Sequence, residues 1–307
     1  MRKTALQMVG ELAEKDERVV FIGSDLGLGT MKEFQERFPD RFFMEGISEA
    51  NLIGMAAGMA MEGKIPYVNT IATFFVRRAF EQVCLDLGLH NLPVRLIANG
   101  GGLVYGPLGP THEAFDDIAL MRSIPNMSIV VPSDANEMRR LMPGTLERQG
   151  PIYIRLAKGH DPIVSKDDWG FAFGDWYEYQ EGNDLLLITT GIGLNLCIEA
   201  SEKLKSSGID CGIVHLPTLK PFDPGKCMDF LKRYPVVITV EEHLLSGGLG
   251  TLVAETIAEN SRSLDVGYSR IGLPDKFPEG YGKQLPLMES LGVSADAIVE
   301  RAKTLIN

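Results

Sequence analysis

The chain has no run of basic residues, no paired-cysteine motif and no apolar stretch of membrane-spanning length. Each absence removes a class of function. With 30 Lys and Arg against 41 Asp and Glu, the formal net charge is −11. Neither nucleic acid nor an anionic membrane is an expected partner of such a chain. A phosphorylated substrate is not excluded, because it needs only local positive charge. The 4 cysteines (Cys84, Cys197, Cys211, Cys227) are scattered without CxxC spacing, and thiols in a reducing cytoplasm are the expected state. The 5 histidines (His90, His112, His160, His215, His243) show no metal-ligand spacing. No cationic start followed by a long apolar run marks a secretory signal. The longest apolar stretch, around Leu52 to Met61, is too short to cross a bilayer. Common nucleotide fingerprints are missing too: no GxGxxG opens a helix after a strand, and there is no Walker A lysine motif. Gly100–Gly102 follows a strand pattern but leads into no helix pattern, so it reads as a loop.

What remains is 307 residues with 45% hydrophobic content and a mean hydropathy near zero, enough for two globular domains. In the first half, helical stretches at Arg2–Lys15, Met31–Arg37, Glu49–Met61, Phe74–Leu87, Phe115–Met121 and Asn136–Gln149 alternate with the apolar runs VVFIG, RFFMEG, IPYVN, VRLIAN, MSIVV and PIYIRL. Short apolar strands alternating with helices predict a mostly parallel sheet covered on both faces. The polar segment 166–183 breaks the rhythm and reads as a linker. A second alternation follows: DLLLITTG, DCGIVHL, VVITVEE and DVGYSRIG, with helices between them and a last helix at Ala295–Ile306. The prediction is an α/β protein of two domains, 1–165 and 184–307.

Four stretches carry residues suited to chemistry. Glu49 stands in the first turn of an otherwise apolar helix, after Ser48 at the expected N-cap. That helix reads as fully buried. Glu49 either serves the helix dipole or is a proton donor or acceptor. GSDLGLG (Gly23–Gly29) follows a strand, where ligands gather in parallel sheets, although its glycines are equally suited to tight turns. In TFFVRRAFEQV, a helix would present Phe74, Arg77 and Phe80 along one side; such aromatics commonly fill core. In the Gly106–Met127 segment a Gly/Pro-rich loop delivers Thr111 and His112 to the start of a helix. There His112 either caps the helix or donates or accepts a hydrogen bond at a reacting centre.

Taken in order, RKT, SDL, GISEANLIGMAAG, TFF…RAFEQ, GPTH followed by RSIPNM, GPIYIRLAK and VVITVEEHLLSGGLG closely resemble the carboxyl-terminal half of transketolase-like thiamine diphosphate enzymes over nearly the whole chain. The resemblance implies a pyrimidine-binding domain followed by a transketolase C-terminal domain. It implies that Glu49 hydrogen-bonds the aminopyrimidine N1′, favouring the imino tautomer that generates the nucleophilic ylid. It further implies that Phe74, with Phe75 and Phe80, walls the aminopyrimidine, that Asp25 lies near the thiamine, and that His112 contacts substrate oxygens. Arg2, Arg155 and Lys158 fall at positions that would meet a substrate phosphate, with lysine replacing the family's bidentate arginine at Lys158; each is alternatively a surface charge.

Departures from the family pattern matter as much. Leu108 stands where transketolases and deoxyxylulose-phosphate synthases carry an Asp before the Gly of the GPTH-like motif, which puts substrate preference in question. An upstream histidine of transketolases would align near Gly100. The GDG…Asn motif that holds the diphosphate and its Mg²⁺ (or Ca²⁺) is missing. The resemblance therefore implies half of a split enzyme, completed by an N-terminal subunit in an α₂β₂ assembly. Gly54 and Gly58 would let another helix approach closely. The expected activity is that of a β-type transketolase subunit, transferring a two-carbon ketol unit from a ketose phosphate to an aldehyde through a thiamine adduct. Alternatives are a deoxyxylulose-phosphate synthase-like enzyme, a 2-oxo-acid dehydrogenase β subunit (which GPTH argues against), and a non-catalytic scaffold or regulatory subunit.

Overall fold

The six apolar runs of the first half become strands β1 (Val19–Gly23), β2 (Phe42–Met44), β3 (Ile65–Ile71), β4 (Arg95–Asn99), β5 (Ser128–Val130) and β6 (Ile152–Leu156) in the computed structural model, which describes residues 1–157, 159 and 161–306. Then come β7 (Tyr177–Gln180), β8 (Leu185–Thr189), β9 (Cys211–His215), β10 (Thr218–Lys220), β11 (Val236–Leu244) and β12 (Gly267–Leu273). They form two sheets, in the orders β10-β5-β6-β4-β3-β1-β2 and β12-β11-β8-β9-β7. Every pairing is parallel except β10 on β5 and β7 on β9.

Every residue of β1, β3, β4 and β6 is buried. Parallel strands covered on both faces meet water on neither, so they are mostly apolar, and the polar residues they carry, such as Asn69, Thr70, Arg95, Asn99 and Arg155, are buried as well. The two faces of a strand serve different cores. On β8, Leu185 and Leu187 join one cluster while Leu186 and Ile188 join another. The second of these clusters spans both sheets: it includes Leu52, Phe75 and Ile118 together with Val214, Val237 and Val253.

Two strands escape the sequence pattern. Strand β10 leaves the second alternation and lies antiparallel on β5, with Thr218 opposite Val130, so the later part of the chain supplies an edge of the first sheet. Between Pro217 and Pro221, Thr218–Lys220 contains one apolar residue, Leu219, so no apolar run marks a strand there. Strand β7 lies inside the stretch read as a linker and forms the antiparallel edge of the second sheet. In the same stretch Trp169 stacks on Tyr177 and His215, so this segment is packed structure. A helix at Gln284–Ser290 was likewise not expected from the pattern.

Several helices differ from expectation for identifiable reasons. The stretch 136–149 divides into Ala135–Leu141 and Gly144–Glu147 around Pro143, which cannot continue a hydrogen-bonded helix. Phe74–Leu89 contains two π-helical turns, Phe74–Arg78 and Val83–Leu89, flanking Phe80–Gln82. The helix Glu49–Met61 is buried on one face only: Leu52, Ile53, Ala56 and Ala60 face the core, whereas Asn51, Gly54, Gly58 and Met61 are exposed. Ser48 occupies its N-cap position, yet its hydroxyl donates back to the Glu45 carbonyl and caps nothing.

Candidate active site

Parallel strands deliver loops and helix starts to their carboxyl ends, where ligand sites gather. Here β1 ends beside Ser24 and Asp25, β3 carries Thr70 near its end, and the chain beyond β2 enters the helix begun by Glu49. A line of side chains connects them. Ser24 Oγ lies 2.9 Å from Asp25 Oδ1 and 3.1 Å from Thr70 Oγ1, and Thr70 Oγ1 donates to Glu49 Oε1 at 3.4 Å. Glu49 is only 1% exposed. Its other carboxylate oxygen accepts from Arg78 Nη1 at 2.7 Å. The apolar helix thus buries the carboxylate, but a guanidinium accompanies it.

Arg78 also lies over the Phe74 ring, 4.2 Å from its centroid. Phe74 meets the His112 ring edge-on, with centroids 5.5 Å apart. Glu49, Phe74 and His112, far apart in sequence, are therefore brought into one continuous patch through Arg78. His112 itself is not at a helix start: the helix begins at Asp117. It closes a tight turn instead, its N–H donating to the Gly109 carbonyl at 2.9 Å and its Nδ1 meeting Thr111 Oγ1 at 2.9 Å. The turn is clamped by Arg77, which donates to the Pro110 carbonyl at 3.1 Å and to Asp116 at 3.0 Å. The adjacent arginines consequently do different work, Arg77 holding the His112 loop and Arg78 reaching Glu49.

Other expected site residues are placed differently. Phe75 is fully buried in the shared core, where it cannot touch a ligand. Phe80 is half-buried against that same core. Asp25 is exposed at the end of β1. Lys158 lies outside the described residues. Arg155 is not at an open phosphate site: it is 6% exposed, and its Nε donates to Asp117 at 2.8 Å while Nη2 donates to the carbonyls of Ala114 and Glu242 at 3.3 and 2.9 Å. Asp117 also accepts from Tyr153 Oη at 2.8 Å. This buried cluster joins the two sheets, because Glu242 of β11 accepts from the Leu103 N–H at 2.8 Å and from Gln284 Nε2 at 2.9 and 3.0 Å. Burial pushes the Glu242 carboxyl up to about 7, opposed by the Arg155 guanidinium. Gly102 makes this approach possible: at φ +67°, a Cβ there would stand 2.2 Å from the Glu242 carboxyl carbon.

Sequence reasoning also missed Tyr105 and Glu113. Tyr105 packs its ring onto Gly100, where a Cβ would come within 2.2 Å of it, so no histidine side chain has room at that position. Burial raises the Tyr105 phenol, and the Arg2 guanidinium beside it acts in the opposite sense while Asp25 adds to the rise. Arg2 and Asp25 thus both lie near Tyr105. Glu113, next to His112, is fully buried and neither carboxylate oxygen has a partner among the described residues. Its only advance signal was an acid directly following the histidine. Leu108 is 51% exposed on the same loop. Among the described residues no group of three or more His, Cys, Asp or Glu is arranged to hold a metal ion, and no helix is long and apolar enough to cross a membrane.

Comparison with known proteins agrees with this architecture. Residues 1–162 match the family model "Transketolase, pyrimidine binding domain" and residues 174–298 match "Transketolase, C-terminal domain". A transketolase family protein, y4mN, of Sinorhizobium fredii (strain NBRC 101917 / NGR234) is 38% identical, covering 95% of this chain and 85% of its own. The 1-deoxy-D-xylulose-5-phosphate synthase of Bacillus cereus (strain AH820) is 36% identical over 98% of this chain, which spans 48% of that enzyme's length. Among solved structures, a split-gene transketolase in an inactive β4 tetramer superposes with a TM-score of 0.90 at 33% identity, covering 99% of this chain and 97% of its own. A transketolase variant from Pichia stipitis shares the fold at 20% identity, with a TM-score of 0.79, covering 99% of this chain and 45% of its own. The chain belongs to the transketolase family and comprises its pyrimidine-binding and C-terminal domains.

Proposed function

We propose that this chain is the C-terminal, β-type subunit of a two-subunit, thiamine diphosphate-dependent transketolase, moving a two-carbon ketol unit from a ketose phosphate to an aldehyde. The observation that carries the reading is the meeting of a buried carboxylate, Glu49, an aromatic ring, Phe74, and an imidazole, His112, at the carboxyl ends of parallel strands. These residues fit the cofactor's aminopyrimidine. Glu49 would hold the ring nitrogen N1′ and share its proton, and Phe74 would carry the flat ring. When bound, thiamine diphosphate supplies a carbanion at its thiazolium that cleaves and forms bonds next to a carbonyl. His112, fixed by its turn at the edge of Phe74, would donate to substrate oxygens. Thr70 orients the Glu49 carboxylate from behind, and the apolar core beneath excludes water from that side.

The diphosphate and its Mg²⁺ (or Ca²⁺) are assigned to a separate N-terminal subunit, with self-association to α₂β₂. Supporting this are the likeness along nearly its full length to a split-gene transketolase and the open face of the helix Glu49–Met61. On that face Gly54 and Gly58 have nothing within 4 Å of a Cβ, leaving room for another helix. The four thiols are free, in keeping with a reducing, cytoplasmic setting. A second reading, condensation of pyruvate as in deoxyxylulose-phosphate synthases, is favoured by the 36% identity to those enzymes; assays with a ketose phosphate donor and with pyruvate separate the two.

The test of the site is Glu49→Gln in the assembled enzyme. Turnover is expected to fall by orders of magnitude while circular dichroism and the thermal midpoint are kept. Unchanged turnover would remove Glu49 from the proton transfer. Calorimetric titration of thiamine diphosphate and Mg²⁺ into this chain, alone and with the partner, tests the division: tight binding by the chain alone would refute a split site.

A further inference from the structure

Arg78 contacts both side chains assigned to the aminopyrimidine, Glu49 and Phe74. Its guanidinium, a planar cation, lies 4.2 Å from the Phe74 centroid and donates to Glu49 Oε2 at 2.7 Å. Stacking on an aromatic face while donating in-plane to a carboxylate is the same pair of contacts that a protonated aminopyrimidine would make with these two side chains. One ring face cannot carry both planar groups together.

The surroundings show why an internal occupant is needed and how it can leave. Glu49 without a partner would be an isolated buried charge, which is strongly unfavourable. Arg78 supplies that partner from the solvent side: its side chain is 46% exposed, against 1% for Glu49. No other acceptor holds Arg78 among the described residues, whereas Arg77 is fixed to Asp116 and to the Pro110 carbonyl. The π-helical turn Phe74–Arg78 directs the two neighbours apart, and the chain leaves helical geometry at Ala79, φ −118° and ψ 17°.

We propose that Arg78 fills the pyrimidine slot of the cofactor-free chain and neutralises Glu49 there, so that cofactor binding is a competition with this side chain. The aminopyrimidine displaces the guanidinium outward, and the carboxylate passes from one planar donor to the other without standing unpaired. This inference rests on the assignment of Glu49 and Phe74 to the aminopyrimidine.

The test uses thiamine, which lacks the diphosphate and so isolates the pyrimidine side. Thiamine is titrated into the full chain by ligand-observed NMR at millimolar concentration, for the wild type, Arg78→Ala and Arg78→Gln, and for each combined with Glu49→Gln. Circular dichroism checks that every variant is folded. A slot occupied by Arg78 most of the time lowers apparent affinity in proportion to the free fraction. Both Arg78 substitutions are therefore expected to tighten thiamine binding by about tenfold, and adding Glu49→Gln should abolish the gain. Binding that depends on Glu49 but is unchanged by the Arg78 substitutions overturns the competition while sparing the slot. Weaker binding in both Arg78 variants makes Arg78 a ligand and also overturns it. Absence of thiamine binding in every variant removes the slot assignment and the proposal together.

Discussion

Replacing Glu113 by Gln should make the chain more stable, and only at neutral to alkaline pH. Glu113 is 0% exposed, and both of its oxygens lack a partner among the described residues. Burial pushes its carboxyl from 4.5 up to about 7, opposed by the Arg77 guanidinium. Between those two values the folded chain keeps a proton that the unfolded chain has released. Stability therefore declines as pH rises through this window, and the whole loss is present above about 7. At about 1.4 kcal/mol per pH unit, the interval from 4.5 to about 7 corresponds to an upper figure of about 3 kcal/mol. Glu113→Gln keeps the shape and cannot ionise. Urea unfolding followed by circular dichroism should find the variant within about 1 kcal/mol of the wild type near pH 5 and about 1–3 kcal/mol more stable near pH 8. The Glu242 carboxyl, also raised to about 7, is present in both proteins and cancels in the difference. A stability difference that is the same at both pH values would refute the reasoning.

Two further substitutions probe the seam and the loop. Arg155→Ala leaves Asp117 buried with the Tyr153 hydroxyl as its remaining partner; a loss of about 3–5 kcal/mol is expected, read as a lower urea midpoint, and an unchanged midpoint would mean that the cluster contributes nothing to holding the sheets together. Leu108→Asp alters a half-exposed side chain and should leave stability within about 0.5 kcal/mol. It should shift the ratio of kcat/KM between a polyhydroxylated and a less hydroxylated aldehyde acceptor by about tenfold or more, and an unaltered ratio would remove Leu108 from substrate selection.

The parts of this molecule legible in its sequence are those governed by local periodicity. Continuous apolar runs such as Val19–Gly23 and Leu185–Ile188 became strands buried on both faces, because a strand covered on two sides has no polar face to reveal. Glu49 could be singled out because one acid in an apolar helix start is a local anomaly. That Phe74 and His112 serve one site was implied only by family likeness, and nothing in either segment says that their rings meet.

What the tertiary structure alone decided are contacts between residues distant along the chain. Arg155 reads as a phosphate contact or a surface charge until the Glu242 carbonyl, 87 residues away, closes over it. Strand β10 has no counterpart in the sequence pattern and forms on the edge of β5. Arg77 and Arg78 are the same residue type side by side, yet one meets Asp116 and the other Glu49. Local sequence determines how each segment folds and which of its faces is apolar. The partner of a buried charge depends on which segments come together, and that is settled only when the sheets pack and leave each charge the single counter-charge within reach.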